Sequence, residues 1–301
     1  MAPRWRPFAA GHPPAMLPSM GVKPTIAIIG PGRLGTTLAL ALARAGYKVV
    51  EVVSPARSAR RSKALAKKVG ARASLAPVGH LRSDVLWLCV PDAEILPVAR
   101  EIGERKSWQG SAAFHSSGTL SSDELRALHR CGASVASAHP MMTFVRGSSP
   151  SLEGVPWALE GEAAAVRVAR RIVGDLGGEA SILRKAAKPA YHAWGAFLSP
   201  LLVAHLVTAE QVARAAGLSA AAARKKMLPI VRQTIANYAV LGPAGAFSGP
   251  LVRGDTEVVL QHLRALKRVR GASAVYLALA RAALRQLPVR HRRQLEKILA
   301  E

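Results

Sequence analysis

Thr25-Ile26-Ala27-Ile28-Ile29-Gly30-Pro31-Gly32-Arg33-Leu34-Gly35 is the stretch on which the reading of this chain turns. Residues 25–29 are uncharged and rich in β-branched side chains, which predicts a buried strand. A helical pattern over 34–45 follows and stops at Gly46. The glycines between them fall as G-x-G-x-x-G, and each has its own physical task. Gly30 permits a tight turn, Gly32 lets the backbone approach a pyrophosphate, and Gly35 lets helix and strand pack closely. Beginning at Arg33 and Leu34, the helix start offers unpaired N–H groups and the positive end of its dipole to phosphates. A glycine loop in that setting predicts a dinucleotide site.

Outward from the loop, short apolar runs alternate with helix-like stretches, as in a parallel sheet with crossover helices. Strands are predicted over 47–53, 85–90, 112–115, 134–138, 155–159 and 179–183, with helices over 59–69 and 162–176. From Lys188 the pattern changes. Tyr191, Trp194, Leu198, Leu201, His205, Thr208 and Val212 recur at helical spacing, predicting one long helix to about Gly217, kinked at Pro200. More helices are expected over 220–240, 256–270 and 272–285. The fold class is therefore α/β, a doubly wound, mainly parallel Rossmann sheet followed by an all-helical C-terminal domain. The boundaries read as 21–184 for the sheet domain (core 21–150) and 185–301 for the helices.

The second strand bears on which dinucleotide binds. An NAD site commonly places a carboxylate about 20 residues beyond the loop, where it holds the ribose 2′-hydroxyl. Here that place holds Ser54, followed by Arg57, Arg60 and Arg61, which suit a 2′-phosphate; Glu51, inside the strand, is the weaker argument for NAD. NADP is the expected cofactor. Val90-Pro91-Asp92 ends the central strand, where parallel sheets present ligands, and is expected to border it.

Composition narrows the class. Half of the 301 residues are hydrophobic, so a large core can form. Two cysteines, Cys89 and Cys131, lie far apart and fit no zinc or redox spacing; a reduced cytoplasmic setting fits best. The net charge of +24 attracts anions in general, but the basic clusters are scattered over helix-like segments with few aromatics between them, which argues against nucleic acid. Residues 189–209 carry no charge and are almost long enough to span a bilayer, yet Tyr191, His192, Ser199, Pro200 and His205 read better as a helix buried between domains or subunits. Residues 1–20, broken by five prolines and lacking an apolar centre, read as a tail or as an over-long start before Met16 or Met20.

Six motifs occur in order: the glycine loop, Val90-Pro91-Asp92, His115-Ser116-Ser117-Gly118, His139-Pro140-Met141-Met142-Thr143-Phe144, Tyr191-His192, and Gly249-Pro250-Leu251-Val252-Arg253-Gly254-Asp255. Together they resemble the bacterial Rossmann-like family whose C-terminal half is a domain of unknown function, DUF2520. That family is similar in architecture to pyrroline-5-carboxylate reductase, ketopantoate reductase and the 3-hydroxyacid dehydrogenases. The resemblance implies an NADP-linked oxidoreductase with a helical domain that often dimerises, hence a homodimer through the helices. It also implies a lysine proton donor near Lys188, as in the 3-hydroxyacid dehydrogenases. This chain departs from the family at Ser199-Pro200, where Ser-Asn is usual and the asparagine helps hold substrate in related reductases.

Reduction by a nicotinamide needs one proton donor and a group to hold the acceptor. Lys188 and His192 are four apart at the start of the long helix and are the candidate donors, with Tyr191 beside them as a candidate substrate contact. Ser116, Ser117 and His139 end predicted strands on the same edge as the cofactor and are candidate substrate contacts. His115 and His139 find no third ligand at telling spacing, so no metal is expected. Arg253, with Asp255 orienting it, could clamp a carboxylate through its planar fork. The expected reaction is NADPH-dependent reduction of a small, anionic ketone or imine, with a 2-oxo acid favoured; a non-catalytic NADP-binding protein is the alternative.

Overall fold

The computed structural model describes residues 22–76, 81–105 and 107–300. The proline-rich residues 1–20, expected to form a tail, lie outside the described part. The chain divides between Gly195 and Ala196 into two compact units.

The first unit runs through β1 (Ile26–Ile29), α1 (Arg33–Arg44), β2 (Val49–Ser54), α2 (Ala59–Val69), β3 (Arg72–Leu75), β4 (Val85–Leu88), α3 (Asp92–Gly103), β5 (Ala112–His115), α4 (Arg126–Arg130), β6 (Ser134–Pro140), β7 (Pro156–Gly161), α5 (Ala163–Asp175) and β8 (Glu179–Ile182), then enters α6 (Lys188–Leu198). The eight strands form one sheet in the order β3-β2-β1-β4-β5-β6-β7-β8. All pairs are parallel except β6–β7, where Ala138 faces Leu159 in antiparallel register. Order reverses between β1 and β4, the switch point at which open α/β sheets receive ligands.

Alternation along the strands sends side chains to two cores. Ile26, Ile28, Trp87 and Phe114 join Leu38 of α1 and Ile172 of α5. Ala27, Ile29, Leu86 and Leu88 join Ile95 of α3 and Leu128 of α4 on the other face. Trp87 meets Phe114 and Trp157 edge-on at ring-centre separations of 5.2 and 6.0 Å, an arrangement aromatic quadrupoles favour.

The second unit continues through α7 (Pro200–Ala215), α8 (Ala220–Ala246), α9 (Pro250–Arg253), α10 (Thr256–Leu266), α11 (Ala272–Gln286) and α12 (Arg292–Ala300). Its own core is small: Val259, Ala280, Leu284, Leu295 and Leu299. No residue of α7 is buried, and in the 27-residue α8 only Ala223 is.

The structure corrects several expectations. β3 was not foreseen, because Arg72-Ala73-Ser74-Leu75 is a half-exposed edge strand without alternation. The single helix expected from Lys188 is two: Ser199 leaves helical geometry (φ −127°, ψ −81°), and Pro200, which has no N–H to give, opens α7. Within the chain no residue of α7 is buried, so of the two covers expected for 189–209 this chain alone does not supply one. By length and composition alone, Lys185–Ala215 is apolar enough to cross a membrane. Helix α12 was hidden by its basic residues.

Candidate active site

The glycine loop follows β1, with its neighbour β4 alongside. Gly30 has φ +101°, and a Cβ there would stand 2.6 Å from the Cys89 carbonyl oxygen. A Cβ on Gly35 would strike the Gly30 carbonyl, so both positions require glycine for the turn itself. Gly32 differs: its φ is −74°, and a Cβ would meet only the Cys89 oxygen at 3.8 Å. The fold therefore does not need glycine at 32, whereas a close-approaching ligand does. No side chain caps α1, and no acidic residue occupies its first turn, leaving the amide end beginning at Arg33, Leu34 and Gly35 for an anion. These residues fit a dinucleotide pyrophosphate.

Beside the loop, β2 and α3 enclose a cavity of about 230 Å³ lined by Gly30, Val53, Ser54, Arg57, Val90 and Glu94, among others. Ser54 is buried and donates its hydroxyl proton to Ser62 Oγ at 2.9 Å, so it is not a free donor to a 2′-phosphate. Arg57 remains at the rim, paired with Glu94. Glu51 is buried and accepts from Ser74 Oγ, away from this cavity's lining.

Two strands further on, the ends of β5 and β6 carry a network. Ser117 Oγ donates to Asp92 Oδ2 at 2.8 Å and accepts from the amides of Thr119 and Leu120. It thereby pins the loop after β5 to the first residue of α3. His115 accepts from the Ser117 amide at Nδ1 and faces the Ser121 carbonyl with Nε2 at 2.9 Å, which assigns the Nε2–H tautomer. Burial, with help from the Lys188 charge, pushes its pKa down to about 4, so it is neutral. Ser116 accepts from Trp87 Nε1 at 2.9 Å. Lys188, only 1 % exposed, donates to Ser137 Oγ at 2.7 Å and to the Ser117 carbonyl at 3.1 Å. Burial holds its pKa below the ordinary lysine value, against the pull of Glu160 and Asp92.

Above this network stand His139, Tyr191 and His192. His139 Nδ1 and the Tyr191 hydroxyl share a hydrogen bond at 3.2 Å, with rings edge-on at 5.5 Å. His192 lies 6.3 Å from His139, ring centre to ring centre. Gly118 forms the floor, since a Cβ there would fall 2.7 Å from His192 Cδ2 and 2.9 Å from His139 Nε2. Desolvation first, then the Lys188 charge, lowers His139 to about 4. Desolvation raises Tyr191 to about 12. Neutral His139 has one ring N–H and Tyr191 one O–H, and one shared hydrogen bond uses one of them. Whichever way that bond points, the pair keeps one proton to donate.

Two family models match this chain: a Rossmann-like domain over residues 18–140, and the domain of unknown function DUF2520 over residues 155–283. The chain is a Rossmann-like protein with a DUF2520 domain. No curated protein sequence matches it. Among solved structures it is similar to a provisionally named NADP oxidoreductase of Bacteroides fragilis, at 22 % identity over 86 % of this chain and 97 % of that one, TM-score 0.71. It is similar to protein TM1727 of Thermotoga maritima, at 21 % identity over 85 % and 96 %, TM-score 0.68. It also resembles a reductive aminase of Aspergillus terreus solved with NADPH and ethyl-5-oxohexanoate, at 17 % identity over 92 % and 100 %, TM-score 0.63. At these identities the likeness shows the fold.

The DUF2520 match begins inside the sheet, taking in β7, α5 and β8 before the helices. Of the residues singled out in the sequence, His139, Tyr191 and His192 come together in the first unit, with Lys188, Ser116, Ser117 and Asp92 in the network beneath. Arg253 and Asp255 lie in the second unit and pair with each other at 2.8 Å. Sequence reasoning assigned no site role to Gly118, Ser137 or Trp194, although Gly118 closes one of the six motifs and Trp194 belongs to the helical repeat. Trp194 packs edge-on against Tyr191 at 6.1 Å and sits one helical turn beyond it, a spacing that could have drawn it in.

Proposed function

We propose that this protein is an NADP-dependent reductase of a C=N or C=O group, with the proton supplied from the His139–Tyr191–His192 cluster. The observation that carries the reading is the placement of that cluster. It stands at the C-terminal ends of β5 and β6, on the edge where β1 presents a glycine loop whose backbone lies open to a ligand at Gly32. Strands β1 and β6 are three ladder spacings apart, roughly 14 Å. Bound NADPH supplies the hydride for the acceptor carbon. The protein's part is to bind and orient, and to protonate the oxygen or nitrogen left negative. Tyr191, raised to about 12, stays protonated at any ordinary pH, and His139 holds it in place. His192, exposed beside them, is the second donor. Lys188 is enclosed and acts through Ser117 and Ser137, fixing the loop that carries Gly118, so in this reading it positions the site and does not touch substrate.

The similar structures include reductive aminases and imine reductases, which favours a C=N acceptor formed from a ketone and an amine. A 2-oxo acid is the second reading, favoured by the exposed guanidinium of Arg253 that Asp255 holds in a fixed orientation. A homodimer through the helical unit is part of the proposal, since α7 and α8 leave Leu201, Val203, Ile230, Ile235 and Val240 exposed.

NADPH consumption is to be measured against cyclic imines, ketone–amine mixtures and 2-oxo acids. Tyr191→Phe and His192→Ala are each expected to lower kcat more than tenfold while NADPH affinity stays within twofold. NADPH that binds but is never consumed, or two variants that turn over normally, would sink the assignment.

A further inference from the structure

Resting on the NADP reading above, we infer that Glu94 is a built-in competitor of the cofactor's 2′-phosphate, and so a residue that sets how strongly NADP is preferred over NAD. The cavity between β2 and α3 is walled by Val53, Pro55, Val90 and Val98, an apolar slot of the kind that receives a flat ring. Two oppositely charged side chains meet at its rim from opposite walls. Arg57 stands in the turn after β2, and Glu94 in the first turn of α3. Their Arg57 Nη2 to Glu94 Oε1 separation is 3.0 Å, so the pair bridges the two walls.

Arg57 is the cation nearest the end of β2 that lines this slot, the side on which a ribose 2′-substituent is read. Glu94 occupies it with a carboxylate. The side chains are 72 % and 40 % exposed, so water and salt screen their attraction and the pair opens easily. A phosphate monoester carries about −1.5 to −2 charges and three acceptor oxygens, against a single negative charge on Glu94. It therefore takes Arg57 from Glu94, whereas a 2′-hydroxyl cannot. Until then the ion pair holds Arg57 across the slot. The second acid on the same helix face, Glu101, lines the slot too, but holds Arg105 at 3.3 Å and leaves Arg57 to Glu94.

Because the competitor acts only through Arg57, its effect is confined to ligands with a 2′-phosphate. Dissociation constants of NADPH, NADH, 2′,5′-ADP and 5′-AMP should be measured on the full-length protein, on Glu94→Gln, on Arg57→Ala and on the double variant. Glu94→Gln is expected to tighten NADPH and 2′,5′-ADP about three- to tenfold and to leave NADH and 5′-AMP within twofold. Arg57→Ala is expected to weaken the phosphorylated pair tenfold or more. In the Arg57→Ala background, Glu94→Gln should change NADPH affinity by less than twofold. An unchanged NADPH-to-NADH ratio in Glu94→Gln overturns the inference while leaving the NADP reading standing. So does a tightening that survives without Arg57, because it would reflect plain repulsion by Glu94. Wild-type protein that binds neither NADPH nor 2′,5′-ADP overturns both.

Discussion

The two units of this chain satisfy their apolar surface in different ways. In the first, strands β1, β4 and β5 are buried along their whole length, and helices lie on both faces. In the second, α7 and α8 together run for more than forty residues with one buried side chain, and large apolar groups from Phe197 to Leu241 face outward. A sheet of this kind completes its core within one chain. A long helix lined with exposed Ile, Val and Tyr does not, and water around such a surface is costly enough to call for a cover. Binding of the dinucleotide should thus belong to the sheet unit alone, while assembly belongs to the helices.

The most severe way to test that division is Gly32→Val. Its Cβ meets only the Cys89 oxygen at 3.8 Å in the fold but stands where a pyrophosphate would approach. NADPH affinity should fall by more than a hundredfold while the melting temperature moves by no more than about 2 °C. Gly35→Val, which must displace the Gly30 backbone, should lower both. A smaller effect is expected from Ile235→Asp combined with Val240→Asp on α8. Sedimentation or light scattering should show at least a tenfold weaker self-association, with NADPH affinity unchanged. If the wild-type protein is a monomer at micromolar concentration, the helical face has another cover and the dimer proposal fails.

The mildest test uses acid. His115 and His139 have folded-state pKa values near 4, below the unfolded value of about 6.5. Between those limits the unfolded chain binds more protons than the folded one, so stability is intact above pH 6.5 and is lost as pH falls towards 4. The slope should approach two protons, and His115→Gln or His139→Gln should each remove about one. An unchanged slope in both variants would show that neither ring is held neutral.

The parts that could be read from the sequence are those where local physics acts alone. The glycine loop announces itself because backbone geometry at Gly30 and Gly35 admits nothing else, and strands such as 85–88 because burial on both faces demands an unbroken apolar run. The antiparallel joint at β7 was hidden, since a strand's direction depends on the connection before it rather than on its own residues. The helix break at Ser199 was half-visible: Pro200 marked it, but whether proline bends a helix or begins a new one depends on the φ/ψ of its predecessor. Within the site, Tyr191, His192 and His139 could be named from their motifs. That Lys188 lies beneath them, spent on Ser117 and Ser137, could not. Its partner Ser137 is an ordinary strand residue, and 51 positions separate the two. Ser54 is a similar case, since nothing in its strand shows that Ser62 on the following helix takes its proton.

The distribution of indole rings has a practical consequence. Among the described residues, Trp87, Trp108 and Trp157 are sealed in the sheet unit, whereas Trp194 is 54 % exposed beside Tyr191. In emission, the first three should be blue-shifted and beyond the reach of a collisional quencher, and Trp194 red-shifted and open to it. In a Trp5→Phe variant, which removes the fifth indole, a ligand settling on the Tyr191 cluster should shield Trp194 and leave the buried signal untouched, so occupancy and unfolding can be followed as separate optical channels in one cuvette.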